Sequence, residues 1–191
     1  MGLTGGIGAG KSEALAALAR LGAATLSTDA VVHELYGDPE VRDAVVARWG
    51  EEVAPGGVVD RAAVARHAFA SPDERAWLEG LLWPRVGARV QAWRREAGAS
   101  GPRALVVETP LLFEAGMERV YDATIAVIAD EAIRAERAAA RGHAAVDERT
   151  ARQLPQDEKA ARADHIVRND RDLAALEQEL AGVLEKLDRT A

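Results

Sequence analysis

The residues best equipped for chemistry stand near the start of the chain. Gly5-Gly6-Ile7-Gly8-Ala9-Gly10-Lys11-Ser12 fits the spacing G-x-x-x-x-G-K-[ST], the P-loop, whose backbone N–H groups cradle phosphates. Phosphate oxygens need several donors aimed at one point. Glycines at 5, 6, 8 and 10 let the chain turn tightly enough to supply them. A helix must follow, because its first N–H groups are free and its N-terminus carries partial positive charge. Lys11 to Leu21 supplies it: Ala14, Leu15, Ala17, Leu18 and Leu21 recur at helical spacing, and Gly22 ends the run. In such a motif Lys11 reaches the β- and γ-phosphates and the Ser12 hydroxyl ligates Mg²⁺. The pattern therefore calls for ATP or a similar nucleoside triphosphate with Mg²⁺.

Other reactive side chains fall at strand ends or on helix faces. Asp29 follows the strand candidate Ala24 to Thr28. Ligands of open α/β sheets bind at the carboxyl ends of the strands, which places Asp29 on the P-loop edge. It is either the N-cap of a helix over Ala30 to Tyr36 or a catalytic carboxylate, and one residue can be both. Glu108 closes the run Ala104 to Val107, as a Walker-B-type carboxylate or an ordinary polar strand end. Arg134, Arg137 and Arg141 share one face of a helix over Asp130 to Arg141, either a solvated face or a basic lid. His33, His67, His143 and His165 show no metal-ligand spacing with one another.

Five apolar strands must position these groups: Met1 to Thr4, Ala24 to Thr28, Ala104 to Val107, Ala123 to Ile128 and His165 to Arg168. They alternate with helices, the pattern of a three-layer α/β P-loop NTPase fold with a five-stranded parallel sheet. Between Asp38 and Ala97 no strand pattern appears. Helices are expected over Glu40 to Trp49, Arg61 to Phe69, Pro72 to Leu82 and Arg85 to Ala97, with Pro84 breaking or kinking the last two. This exceeds what one crossover needs, so 38–97 reads as a helical insertion covering the substrate, and Trp49, Trp77, Trp83 and Trp93 within it as mainly core packing. A further helix is expected over Val146 to Arg162, and 137–160 as a lid. An amphipathic helix over Leu173 to Leu187 closes the fold. The whole of 1–191 reads as one domain, with its core in 1–37 and 104–191.

Bulk properties narrow the partners. The chain has 191 residues and a net charge of −7, which argues against nucleic acid or an anionic membrane. It has no cysteine, which excludes disulfides and thiolate chemistry. The run Ala123 to Ala129, apolar but for Thr124, is too short to span a bilayer. A cytoplasmic protein, monomeric or weakly self-associating, is the expectation. A P-loop on the first strand leaves a phosphotransferase, a GTPase switch or an ATP-driven machine. The guanine-reading N-K-x-D is absent, and small size argues against the machine. A small-molecule kinase needs a carboxylate to deprotonate a hydroxyl, a basic lid, and a cover that excludes water. Asp29, the Arg137–Arg141 helix and segment 38–97 are the candidates for these parts.

At this point the chain resembles the dephospho-CoA kinase family. Leu3 to Ser12 is similar to that family's P-loop with its flanks, and Ser27-Thr28-Asp29 stands where the family typically has Asp-Ala-Asp. Val59-Asp60-Arg61, Phe69-Ala70-Ser71-Pro72 and Leu81-Leu82-Trp83-Pro84 resemble its helical insert. Pro110-Leu111-Leu112-Phe113-Glu114 matches its Pro-Leu-Leu-x-Glu segment, and Glu136-Arg137 with Arg141 looks like its lid helix. Ala163-Asp164-His165-Ile166-Val167-Arg168-Asn169 resembles a stretch near the adenine of ATP. The resemblance implies phosphorylation of the ribose 3′-hydroxyl of dephospho-CoA, with ATP and Mg²⁺, as the last step of coenzyme A synthesis. It implies Asp29 as base, with Lys11, Arg137 and Arg141 on the transferring phosphoryl group. Gly6, Gly8, Ala9, Gly10, Lys11, Ser12, Glu13 and Asn169 would hold the nucleotide, and Ser12 the metal. Two departures are Ser27 for the first Asp and Trp83 for a His before Pro84. A nucleoside or nucleoside-monophosphate kinase, or a non-catalytic nucleotide-binding regulator, are the alternatives.

Overall fold

The computed structural model describes residues 1–140 and 153–189. The expected lid falls partly outside the described residues, and Arg141, His143, Arg149 and Arg152 wholly so. The chain divides into two compact units, Met1–Ser27 with Glu96–Ala191, and Thr28–Arg95. Helices α1 (Lys11–Arg20), α2 (Thr28–Leu35), α3 (Pro39–Trp49), α4 (Arg61–Ala70), α5 (Pro72–Gly98), α6 (Glu131–Ala140), α7 (Gln156–Arg162) and α8 (Leu173–Asp188) follow one another along the chain.

The first unit is built on a five-stranded sheet in the order β2-β3-β1-β4-β5. Its strands are β1 (Gly2–Gly5), β2 (Ala24–Ser27), β3 (Leu105–Glu108), β4 (Thr124–Ile128) and β5 (His165–Arg168). Every pairing is parallel. The central β1 is buried along its whole length, as is β4, as a parallel sheet covered on both faces requires. Ala14, Ala17 and Leu18 of α1 and Leu176, Leu180, Val183 and Leu184 of α8 share one core cluster with Leu3, Val106, Ile125, Val127 and Val167. Their helical spacing produces that single buried stripe. Helix α1 stops at Leu21, and Gly22, at φ 91°, donates its N–H to the Ala19 carbonyl at 3.1 Å.

Burying a charge needs a partner, and the fold supplies one for Lys159 of α7. Its ammonium is fully buried, 2.9 Å from Glu114 Oε1, and donates to the Pro110 carbonyl at 2.6 Å. Glu114 also accepts from the Leu154 N–H at 2.8 Å. Burial draws the Lys159 amine below its ordinary pKa, while Glu114 acts against that shift. This pair ties α7 to the segment that follows β3.

The second unit is helical. Val45, Val53, Ala63 and Val64 form its core, with Trp49, Trp77, Leu78 and Leu81 packed against it. Trp49 stacks on His67 at 5.5 Å and meets Trp77 edge-on at 5.0 Å. Its indole N–H donates to Glu74 at 2.7 Å, and Arg48 pairs with the same carboxylate. Trp83, by contrast, is 55% exposed, so it stands outside the packing expected of most of the tryptophans.

Three boundaries differ from the sequence expectation. Strand β2 stops at Ser27 and Thr28 already belongs to α2, so Asp29 lies in the first turn of α2 rather than capping a helix that begins at Ala30. Helix α5 runs unbroken through Pro84. The proline leaves the Gly80 carbonyl without its helical donor. At that turn the Arg85 guanidinium donates to the neighbouring Leu81 carbonyl at 2.9 Å, supplying a donor from a side chain. Helix α7 begins only at Gln156, because a proline biases the residue before it away from helical geometry and Pro155 itself is extended, at ψ 144°.

Replacing Lys159 by Met should destabilise the protein by about 3 kcal/mol, because Glu114 keeps a buried charge with no cation; urea denaturation measures it. Acid should weaken a second link. The Asp164 carboxylate accepts from the Thr124 hydroxyl at 2.7 Å and from its N–H at 2.8 Å. These bonds, the hydroxyl foremost, hold Asp164 below its ordinary pKa. A carboxylate depressed in the folded state adds stability above its unfolded pKa, about 4, and loses it as pH falls through the folded value. Thr124→Val should therefore lower the urea midpoint at pH 7, and the deficit should shrink on going to pH 3.

Candidate active site

The P-loop leaves β1 at the carboxyl edge of the sheet. Gly8 and Gly10 have φ of 76° and 90°, the left-handed region that glycine alone enters freely. Crowding adds a second reason for glycine. A Cβ on Gly8 would lie 2.3 Å from the Arg134 carbonyl oxygen, and one on Gly10 would lie 2.0 Å from Asn169 Nδ2. Neighbouring elements therefore press on the loop from outside.

Each carbonyl of the curled loop that turns outward needs a donor. Lys11 Nζ donates to the carbonyls of Gly5 and Gly6, both at 3.0 Å. The Gly6 carbonyl also accepts from the Ala9 N–H at 3.2 Å. Arg134 Nε donates to the Ile7 carbonyl at 3.0 Å, and Asn169 Nδ2 to the Ala9 carbonyl at 3.0 Å. Arg137 in turn donates to the Asn169 carbonyl at 3.0 Å. Thus Gly6, Gly8, Ala9, Gly10, Lys11, Asn169 and Arg137 belong to one connected group. Ser12 and Glu13 stand exposed in the first turn of α1, where main-chain N–H groups lack helical partners. The Glu13 carboxylate lies 3.9 Å from Arg20, so what Glu13 offers an anion is its N–H.

Glu108 ends β3, in register with Leu3 of β1 and Ser27 of β2. It is only 5% exposed and accepts from the Ser27 hydroxyl at 2.7 Å. No Lys or Arg pairs with it among the described residues. A hydroxyl at position 27 satisfies this buried acid, whereas a carboxylate there would repel it. Asp29 is exposed in the first turn of α2.

The arginine face of α6 is not the solvated stripe its spacing allows. Arg134 and Arg137 both turn to backbone carbonyls. Sequence reasoning missed the Arg134 contact and the Ser27–Glu108 bond. The available signal was position, since α6 starts three residues after β4 ends and so opens at the sheet edge that carries the loop.

A central parallel strand leading into this cradle and then into a helix defines a P-loop nucleotide-binding fold of the kinase type. The chain belongs to the dephospho-CoA kinase family, whose sequence profile matches residues 1–175. A dephospho-CoA kinase of Deinococcus radiodurans is 39% identical over 193 residues, covering 100% of this chain and 93% of that one. One from Anaeromyxobacter dehalogenans is 36% identical, covering 98% and 89%. A crystal structure from Thermus thermophilus superposes with a TM-score of 0.79 at 33% identity, covering 97% of this chain and 96% of the other. The dephospho-CoA kinase of Campylobacter jejuni shares the fold, with a TM-score of 0.71 at 22% identity. The protein is thus a kinase, a phosphotransferase with a small-molecule substrate. No helix among the described residues is long and apolar enough to cross a membrane.

Gly8→Ala should weaken ADP binding about tenfold or more, since strain at positive φ and the Arg134 clash both deform the cradle. Isothermal titration calorimetry measures it.

Proposed function

We propose that this chain transfers the γ-phosphoryl group of ATP to the ribose 3′-hydroxyl of dephospho-CoA, giving coenzyme A and ADP. Family membership over residues 1–175 carries the reading. The pre-shaped loop, with Lys11 against its first carbonyls, supports it.

In this mechanism Asp29 accepts the hydroxyl proton as the oxygen attacks the γ-phosphorus and the bond to the ADP oxygen breaks. The N–H groups of the P-loop and of Ser12 and Glu13 bind the polyphosphate. Lys11, Arg137 and Arg141 stabilise the charge on the transferring group. Asn169 holds the loop at Ala9, and segment 38–97 excludes water from the acceptor. The residues present suit Mg²⁺, a hard cation that takes oxygen ligands and few protein groups. The Ser12 hydroxyl and the buried Glu108 carboxylate, which has no cationic partner among the described residues, are the groups to hold it. Held by these two groups, Mg²⁺ would supply positive charge to the polyphosphate. The protein acts in the cytoplasm.

An ADP-release assay tests the reading by offering dephospho-CoA, nucleosides and nucleoside monophosphates in turn. Turnover with dephospho-CoA is expected, and a preference for either other class would overturn it. Asp29→Ala should lower kcat ~100-fold or more, as loss of a general base does, with ATP binding retained. Near-normal kcat in that variant removes Asp29 as the base.

A further inference from the structure

Two P-loop carbonyls, those of Ile7 and Ala9, are held by side chains from far along the sequence. The described peptides include no cis bond. In a planar trans peptide the C=O and the following N–H point in opposite directions. Holding the Ile7 carbonyl on the Arg134 side therefore turns the Gly8 N–H the other way. Asn169 does the same for the Gly10 N–H through Ala9. At φ 76° and 90°, Gly8 and Gly10 are also the loop residues with the most freedom to let these peptides flip.

Arg134 is fitted to this task in three ways. Its guanidinium lies against Gly6, where a Cβ would come 3.0 Å from one terminal nitrogen and 3.2 Å from Cζ. Its own backbone abuts Gly8. Its guanidinium has no carboxylate partner among the described residues, and the side-chain hydrogen bond it makes there goes to the loop.

We infer that Arg134 is a positioning residue for phosphate recognition. It locks the Ile7–Gly8 peptide so that the Gly8 N–H faces the polyphosphate before nucleotide arrives. Unlocked, the same peptide would present a carbonyl oxygen to an anion for part of the time, and binding would have to select against that state. The inference rests on reading the P-loop as the ATP site, and it assigns Arg134 a role through the loop rather than on the reacting atoms.

Calorimetric titration of the full chain with ADP and with inorganic tripolyphosphate tests it, using Arg134→Met, Arg134→Gln and the unaltered protein, with thermal unfolding to verify folding. Arg134→Met removes every donor, and should weaken both ligands ~10-fold, the scale of one charge-assisted hydrogen bond. Arg134→Gln keeps a neutral amide donor, and should stay within about threefold of the unaltered protein. Equal affinity in Arg134→Met overturns the inference. So does Arg134→Gln as weak as Arg134→Met, because the charge itself then meets the phosphates. If Arg134→Met fails to fold, Arg134→Ala, which also lacks every donor, takes its place with the same two outcomes. Failure of the unaltered protein to bind ADP would instead sink the ATP-site reading.

Discussion

A backbone that curls its N–H groups around an anion must send its carbonyls somewhere else. That constraint organises the first unit. Within so tight a turn the loop supplies the Ala9 N–H to the Gly6 carbonyl, and further donors to the carbonyls of Gly5, Gly6, Ile7 and Ala9 arrive from α1, α6 and the end of β5 through Lys11, Arg134 and Asn169. The parallel sheet brings those donors to one edge, because every strand ends there and every following element starts there. The glycines answer the same demand, since they admit both the left-handed turns and the close approach of Arg134 and Asn169.

Locality decides how much of this could be read in advance. The P-loop and α1 are contiguous, so residue types and spacing suffice. Strands β3 and β4 show as mainly apolar runs because a covered parallel sheet has no solvent face to force alternation, and β5, although partly exposed, was legible to the residue, at His165 to Arg168. The clamps were not legible. Arg134 lies 127 residues from Ile7, Asn169 lies 160 from Ala9, and Ser27 lies 81 from Glu108. Periodicity relates residues on one helix and says nothing of carbonyls on another element. At Pro84 the expected break does not occur: α5 continues although the Gly80 carbonyl loses its helical donor, and the Arg85 guanidinium donates to the next carbonyl, that of Leu81.

The two departures from the family pattern read differently in three dimensions. Ser27 belongs to a satisfied pair with a buried acid, so the position is chemically consistent as it stands. Trp83 remains an exposed indole on α5, and nothing in the structure explains the substitution.

The sequence holds only three lysines, Lys11, Lys159 and Lys186, among 24 basic side chains. Two of the three sit where a small ammonium is needed: one on loop carbonyls, one sealed beside Glu114. Lys186, on α8, is exposed. An amine-selective reagent would thus meet a surface with almost no targets. Beyond the chain's own amino terminus, its label would divide between Lys186 and the phosphate loop. Covalent labelling could then report occupancy of the loop almost without background.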